Sequence, residues 1–101
     1  LKMDVPQIVC GDMNTHKGNA GFYKSMLTSL DLEDSETNSA QVFTTVKDRS
    51  VIDYILLRNN GTSLRTVKKE VLRINPNKLK VIHKLNGNLS DHLALFASFT
   101  W

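Results

Sequence analysis

Three apolar, β-prone runs in this chain each carry a carboxylate at or near one end, and that placement limits the folds open to it more than any other feature. Gln7-Ile8-Val9-Cys10 leads into Gly11-Asp12-Met13-Asn14. Val51-Ile52-Asp53-Tyr54 opens a run that continues to Leu57, and Ser90-Asp91-His92 precedes an alternating stretch over residues 93–101. An acid beside such a strand is either solvated at the sheet end or partnered, because burying an unpaired charge is costly. A fold that gathers the three strand ends makes one polar pocket on a rigid frame.

The rest of the chain suits such a frame. Residues 5–10 read as a strand buried on both faces that delivers Asp12 at its C-terminal edge, with Cys10 a small buried residue. A loop rich in Asn, Gly and Thr follows. Phe22, Met26, Leu27 and Leu30 then recur at helical spacing, which predicts an amphipathic helix over Ala20–Leu30. Residues 31–39 are acidic and polar, a surface loop.

Val42-Phe43-Thr44-Thr45-Val46 reads as a β-branched strand, Lys47-Asp48-Arg49-Ser50 as a turn, and residues 51–57 as the strongest strand in the sequence. Asn59-Asn60-Gly61 predicts a hairpin turn, since Asn and Gly tolerate positive φ, with residues 63–74 as the returning strand. Leu64, Val67, Val71 and Ile74 also fit helical spacing; topology favours the strand, which Pro76 ends. Residues 79–83 form another short strand candidate and Asn86-Gly87-Asn88 a turn. Leu93, Leu95, Ala97, Phe99 and Trp101 alternate as a terminal strand requires. The simplest sum is one compact α/β unit with a mainly antiparallel sheet.

Length and charge bound the function only loosely. A chain of 101 residues makes one domain at most. Its net charge of +3 suits a polyanionic substrate such as nucleic acid or an anionic lipid surface, and serves solubility equally well. Cys10 is the single cysteine, so no internal disulfide forms, which leans toward an intracellular, reducing compartment. Asn60-Gly61-Thr62 and Asn88-Leu89-Ser90 match the glycosylation sequon, but a glycan at the second would obstruct the pocket. No apolar run has transmembrane length, and no stretch reads as a signal segment, in a chain that opens Leu1-Lys2-Met3 and so is not expected to begin at its natural start.

The order and spacing of Gly11-Asp12-Met13-Asn14, Val51-Ile52-Asp53-Tyr54 and Ser90-Asp91-His92, with Phe43-Thr44 ahead of the second motif, resemble the endonuclease/exonuclease/phosphatase superfamily. That superfamily includes abasic-site DNA endonucleases, retroelement endonucleases, inositol polyphosphate phosphatases and neutral sphingomyelinases. The resemblance runs over residues 6–101 and covers only the C-terminal half of its fold. It implies half of a four-layer α-β-β-α sandwich whose N-terminal half, with a metal-binding glutamate and an asparagine, is absent from this chain. Glu33, Glu36 and Glu70 sit on no strand suited to replace that glutamate.

What the resemblance implies for the site is specific. Asp12 activates or orients water or protonates the leaving group, and Asn14 positions the phosphate. Asp53 hydrogen-bonds one ring nitrogen of His92, whose other nitrogen faces the phosphate, and Asp91, with Asp12, binds metal or water. The cofactor is Mg²⁺ or Mn²⁺, the partner a phosphodiester in nucleic acid or phospholipid. Lys47 and Arg49 stand where the family carries basic residues and either contact substrate phosphate or cap a solvated turn. His16, Tyr23 and Met26 look like sphingomyelinase-type members, the basic balance like a nuclease, and His83 is structural or exposed.

Taken singly, each motif has a plainer account. Gly-Asp-x-Asn commonly forms a turn, and Ser90-Asp91 can cap a helix. The rival functions are a non-catalytic phosphate- or nucleic-acid-binding module derived from the same fold, and an unrelated small α/β domain with coincidental motifs. For the hydrolase, a lone half exposes its inner sheet face, including Ile8, Ile55 and Leu95, so a missing half or a second chain is expected to cover it. The isolated chain is accordingly expected to self-associate; sedimentation as a well-behaved monomer rejects this.

Overall fold

The computed structural model describes residues 5–36, 43–46, 49–72 and 90–101. Among them the chain forms β1 (Gln7–Asp12), α1 (Ala20–Leu30), β2 (Asp53–Arg58), β3 (Arg65–Leu72) and β4 (Ala94–Thr100). The strands make two antiparallel pairs, β1 with β2 and β3 with β4. This is a small, mainly antiparallel α/β domain. Lys47, the strand candidate at residues 79–83 and the turn at 86–88 lie outside the described residues, as does His83.

The β1–β2 register fixes what each face carries. Ile8 faces Leu57, Cys10 faces Ile55 and Asp12 faces Asp53. Side chains alternate along a strand, so these six share one face, while Val9, Leu56 and Tyr54 point to the other. Helix α1 covers that second face: Tyr23, Met26 and Leu27, with Val9, Met13 and Val51, pack on Leu32, Tyr54 and Leu56. The helix starts and ends where its periodicity predicts. Asp31 takes the left-handed conformation (φ 52°) that stops it, and the Leu32 N–H returns to the Leu27 carbonyl at 2.9 Å. Arg58 of β2 then donates to the Leu30 carbonyl and, at 2.7 Å, to Gln7 Oε1, tying helix end to sheet.

Three expectations need correction. First, β1 is not buried on both faces: α1 covers one, while on the other Ile8 is 48% exposed and Cys10 is exposed. Second, residues 43–46 form a single bridge, Thr45 with His92, instead of a strand. Third, the turn at Asn59 forms as predicted, with positive φ at Asn60 and Gly61 and Thr62 N–H on the Asn59 carbonyl at 3.2 Å, but β3 does not return along β2. The outer edge of β2 is already engaged, since Glu33 and Leu57 exchange backbone hydrogen bonds of 2.8 and 2.9 Å. Leaving that edge, β3 pairs with β4, with a bulge between Thr66 and Lys68.

The 31–36 segment also departs from a surface loop. The Asp34 carboxylate and the Lys69 ammonium are in direct contact, with side chains only 4% and 3% exposed. The Tyr23 hydroxyl donates to Asp34, and Lys17 Nζ lies 3.8 Å from it. Tyr23 stacks on Tyr54 with ring centroids 5.8 Å apart. Burial, then the Asp34 bond and charge, raise the Tyr23 hydroxyl far above its ordinary pKa; burial and the charges of Asp34 and Asp53 push Tyr54 up to about 12. Both tyrosines stay neutral donors at physiological pH. The cluster joins α1, the 31–36 segment and β3. Asp34→Ala removes the carboxylate facing a buried ammonium and is expected to destabilise the fold by about 3–5 kcal/mol, measured by chemical denaturation; a loss under about 1 kcal/mol means the pair is not buried in solution.

Candidate functional site

The site is built where β1 ends and β2 begins. Gly11, with φ of +145°, lets the backbone reach a conformation unfavourable to L side chains just before Asp12. Asp12 then lies directly opposite Asp53 across the ladder. Two like charges at paired positions repel, so the pair is unfavourable unless a cation intervenes. His92 supplies one. The Val46 N–H donates to the Asp91 carbonyl and the Leu93 N–H to the Thr44 carbonyl, both at 2.8 Å, which seats the 90–93 segment beside the start of β2.

His92 Nδ1 is 2.8 Å from Asp53 Oδ2, and its Nε2 is 3.9 Å from Asp12 Oδ2 and 4.0 Å from Asp91 Oδ1. An ionised carboxylate only accepts, so Nδ1 carries the proton and Nε2 is the nitrogen left for chemistry. The His92 pKa is raised, mainly by the Asp53 hydrogen bond and further by the charges of Asp53, Asp91 and Asp12, against the opposing effect of burial. Asp12 is held too: the Asn14 N–H donates to its Oδ1 at 2.8 Å, an Asx turn with Asn14 at φ 48°. That leaves Oδ2 turned toward the imidazole.

One atom each from Asp12, Asp53 and His92 lie within 4.8 Å of one another, a spacing that admits a divalent ion. Two carboxylates and an imidazole suit Mn²⁺ at least as well as the harder Mg²⁺. His92 binds a metal only when neutral, so its raised pKa makes protons compete with the ion.

Four of the residues expected in the site, Asp12, Asp53, Asp91 and His92, thus come together, with Asn14 against Asp12 through its backbone. Asp91 is the most exposed of the four and stands on the rim, and Asp53 joins Asp12 in the convergent trio. Arg49 holds its guanidinium over the Phe43 ring, 5.7 Å from the centroid, as a turn residue at φ 50°. Asn14 and His16 line a groove of about 590 Å³ with Phe22, Met26 and Leu30 of α1, whereas Tyr23 turns inward to Asp34. Sequence reasoning missed Asp34 and Lys69. The available signal was that Lys69 shares its strand face with Val71, a position for a buried side chain.

No known protein family, curated protein or solved structure matches the chain. No helix among the described residues is long and apolar enough to cross a membrane.

The imidazole–carboxylate couple has a measurable sign. A raised folded-state pKa means that protonation of His92 stabilises the fold fully below the unfolded histidine value, near 6.5, and that this contribution is lost as pH rises through the folded value. Asp53→Asn removes the largest cause and is expected to bring the His92 pKa down, followed by NMR titration of the ring. An unchanged titration shows that the two are not bonded.

Proposed function

We propose that this chain carries half of the active site of a metal-dependent phosphoric ester hydrolase of the endonuclease/exonuclease/phosphatase type, the other half lying in a further segment or chain. The supporting observation is the bond of 2.8 Å between His92 Nδ1 and Asp53 with Asp12 3.9 Å from Nε2, which gathers groups from three distant parts of the sequence as the family resemblance requires.

Each group has work that its geometry allows. Asp53 fixes the orientation of the His92 ring and favours its protonated form, in which Nε2–H, aimed at the space between Asp12 and Asp91, donates to a phosphoryl oxygen as charge develops there. Asp12, exposed and singly tethered by Asn14, accepts a proton from an attacking water or returns one to the leaving oxygen. The Asn14 amide positions the phosphate from the adjoining groove. A divalent ion would be held by Asp12 and Asp53, with neutral His92 as a third ligand, and would supply Lewis-acid stabilisation of the phosphate.

Nothing else among the described residues completes a cage of oxygen ligands. Glu33 bridges Leu57 through its backbone toward the far end of β2 from Asp53, Glu70 pairs with Lys68 at 3.0 Å, and Glu36 lines the cavity beside Asp34. Hence the chain alone is expected to show little Mg²⁺-dependent turnover. The same shortage favours a second reading, a phosphate-binding module without catalysis.

In the protein carrying both halves, Asp12→Ala and His92→Ala are each expected to lower kcat/KM for a generic phosphodiester such as bis(p-nitrophenyl) phosphate by at least about 100-fold, the scale of positioned proton transfer. A change below about threefold in either variant rejects the hydrolase. Phosphate binding by a folded protein that never turns over establishes the module instead.

A further inference from the structure

Asp53 and His92 are 39 residues apart, yet His92 Nδ1 and Asp53 Oδ2 lie 2.8 Å from each other. Asp53 begins β2, while His92 precedes β4 and bridges Thr45. One residue touches both sides. Thr44 is 1% exposed, and its Oγ1 accepts hydrogen bonds from the Ile52 and Asp53 N–H groups at 3.2 and 3.3 Å. Its carbonyl accepts the Leu93 N–H at 2.8 Å, one residue beyond His92. Both its N–H and its hydroxyl donate to the Ser50 carbonyl, at 2.8 and 3.3 Å, closing the turn between the two contacts.

We propose that Thr44 is a positioning residue whose hydroxyl and carbonyl clamp the backbone of Asp53 to the backbone flanking His92, and so hold the imidazole–carboxylate couple in register. Its catalytic meaning rests on the hydrolase reading; its structural content does not. A threonine hydroxyl has one donor and two acceptor sites, and here all three are engaged. The Asp53 N–H points away from β1, because Asp12 and Asp53 oppose each other at a position between the ladder hydrogen bonds: the next pair, Met13 N–H to the Ile52 carbonyl, is bonded at 3.0 Å. Without Thr44 Oγ1 that half-buried donor loses this acceptor. Ser50 N–H donating to Thr45 Oγ1 at 2.9 Å braces the same turn from the neighbouring residue. Valine has nearly the shape of threonine and none of its hydrogen bonds, whereas serine keeps the hydroxyl, so the pair of substitutions separates packing from clamping.

The test uses the ligand-free chain, where hydrolysis plays no part. The expected result is a downfield, slowly exchanging His92 Nδ1 proton in the wild type and in Thr44→Ser that disappears in Thr44→Val, with helix content by circular dichroism unchanged. A second measurement needs no variant: the Ile52 and Asp53 amides of the wild type are expected to exchange at least about 100-fold more slowly than unprotected amides. Survival of the Nδ1 signal in a folded Thr44→Val protein overturns the proposal. So does unprotected exchange of both amides, which decides the matter if the valine variant fails to fold. In the protein carrying both halves, Thr44→Val is expected to lower kcat with KM little changed and Thr44→Ser to restore it. Full activity of Asp12→Ala alongside a lost Nδ1 signal in Thr44→Val sinks the hydrolase and leaves the clamp.

Discussion

The antiparallel register that sets Asp12 opposite Asp53 governs the site. It places two carboxylates side by side at a sheet end, an arrangement that is unfavourable by itself and becomes favourable only with a cation between them. Sliding β1 by one residue would turn Asp12 to the helix-covered face and bring Val9 out to the open one. The register is held by apolar burial on the α1 side, where Leu56 is fully buried and Tyr54 nearly so. The positions of the charged groups are therefore set by packing of uncharged ones on the opposite face.

How much of this was legible depends on the range of the interactions concerned. Helix α1 was readable to the residue in its bounds, because its apolar spacing and the stop at Asp31 are local, but Phe22 and Leu30 are exposed and Tyr23 joins Met26 and Leu27 on the packed face. Asp53 was readable as a special residue because it lies in an apolar run. The partner of β3 was not, since it depends on Glu33 occupying the edge of β2 at Leu57, 24 positions along the chain, which no turn motif records. Cys10 was misjudged for a related reason: a run of apolar residues does not reveal whether a second layer covers it. Asp34 looked like loop because its burial comes from Lys69, on a strand whose path was itself uncertain. The bond between Asp53 and His92 was foreseen through family resemblance, while the Thr44 hydroxyl that supports it lay in a motif known only as a pattern.

The two charged clusters of the molecule show how similar chemistry serves different ends. The Asp34 and Lys69 side chains are nearly closed off from water and face each other, with the half-buried Tyr23 hydroxyl bonded to Asp34. Such a cluster orders the fold but offers little to a ligand. Around His92 the balance differs: three carboxylates share one imidazole, and both the ring and Asp12 are partly open to solvent. The Asp53 hydrogen bond and, after it, that local excess of negative charge raise the His92 pKa, and the carboxylates keep lone pairs for a cation. Tyr54 lies between the clusters, feeling the charges of both Asp34 and Asp53, and both aspartates line one cavity of about 240 Å³ with Thr44 and Tyr54.

The open face of the β1–β2 pair connects packing to chemistry. Ile8, Cys10 and Ile55 form a stripe on the same face as Asp12 and Asp53, which stand at its end, and Leu93 and Leu95 flank a pocket there with Cys10, Ile55 and Asp53. Any surface that covers the stripe also forms a wall of the charged site. Removing water from that side lowers the effective dielectric around His92 and strengthens its attraction to the carboxylates and to a phosphate placed between them. On the hydrolase proposed above, burial of the stripe and activation of the site would be one event, because the strands that carry the apolar residues end in the acids.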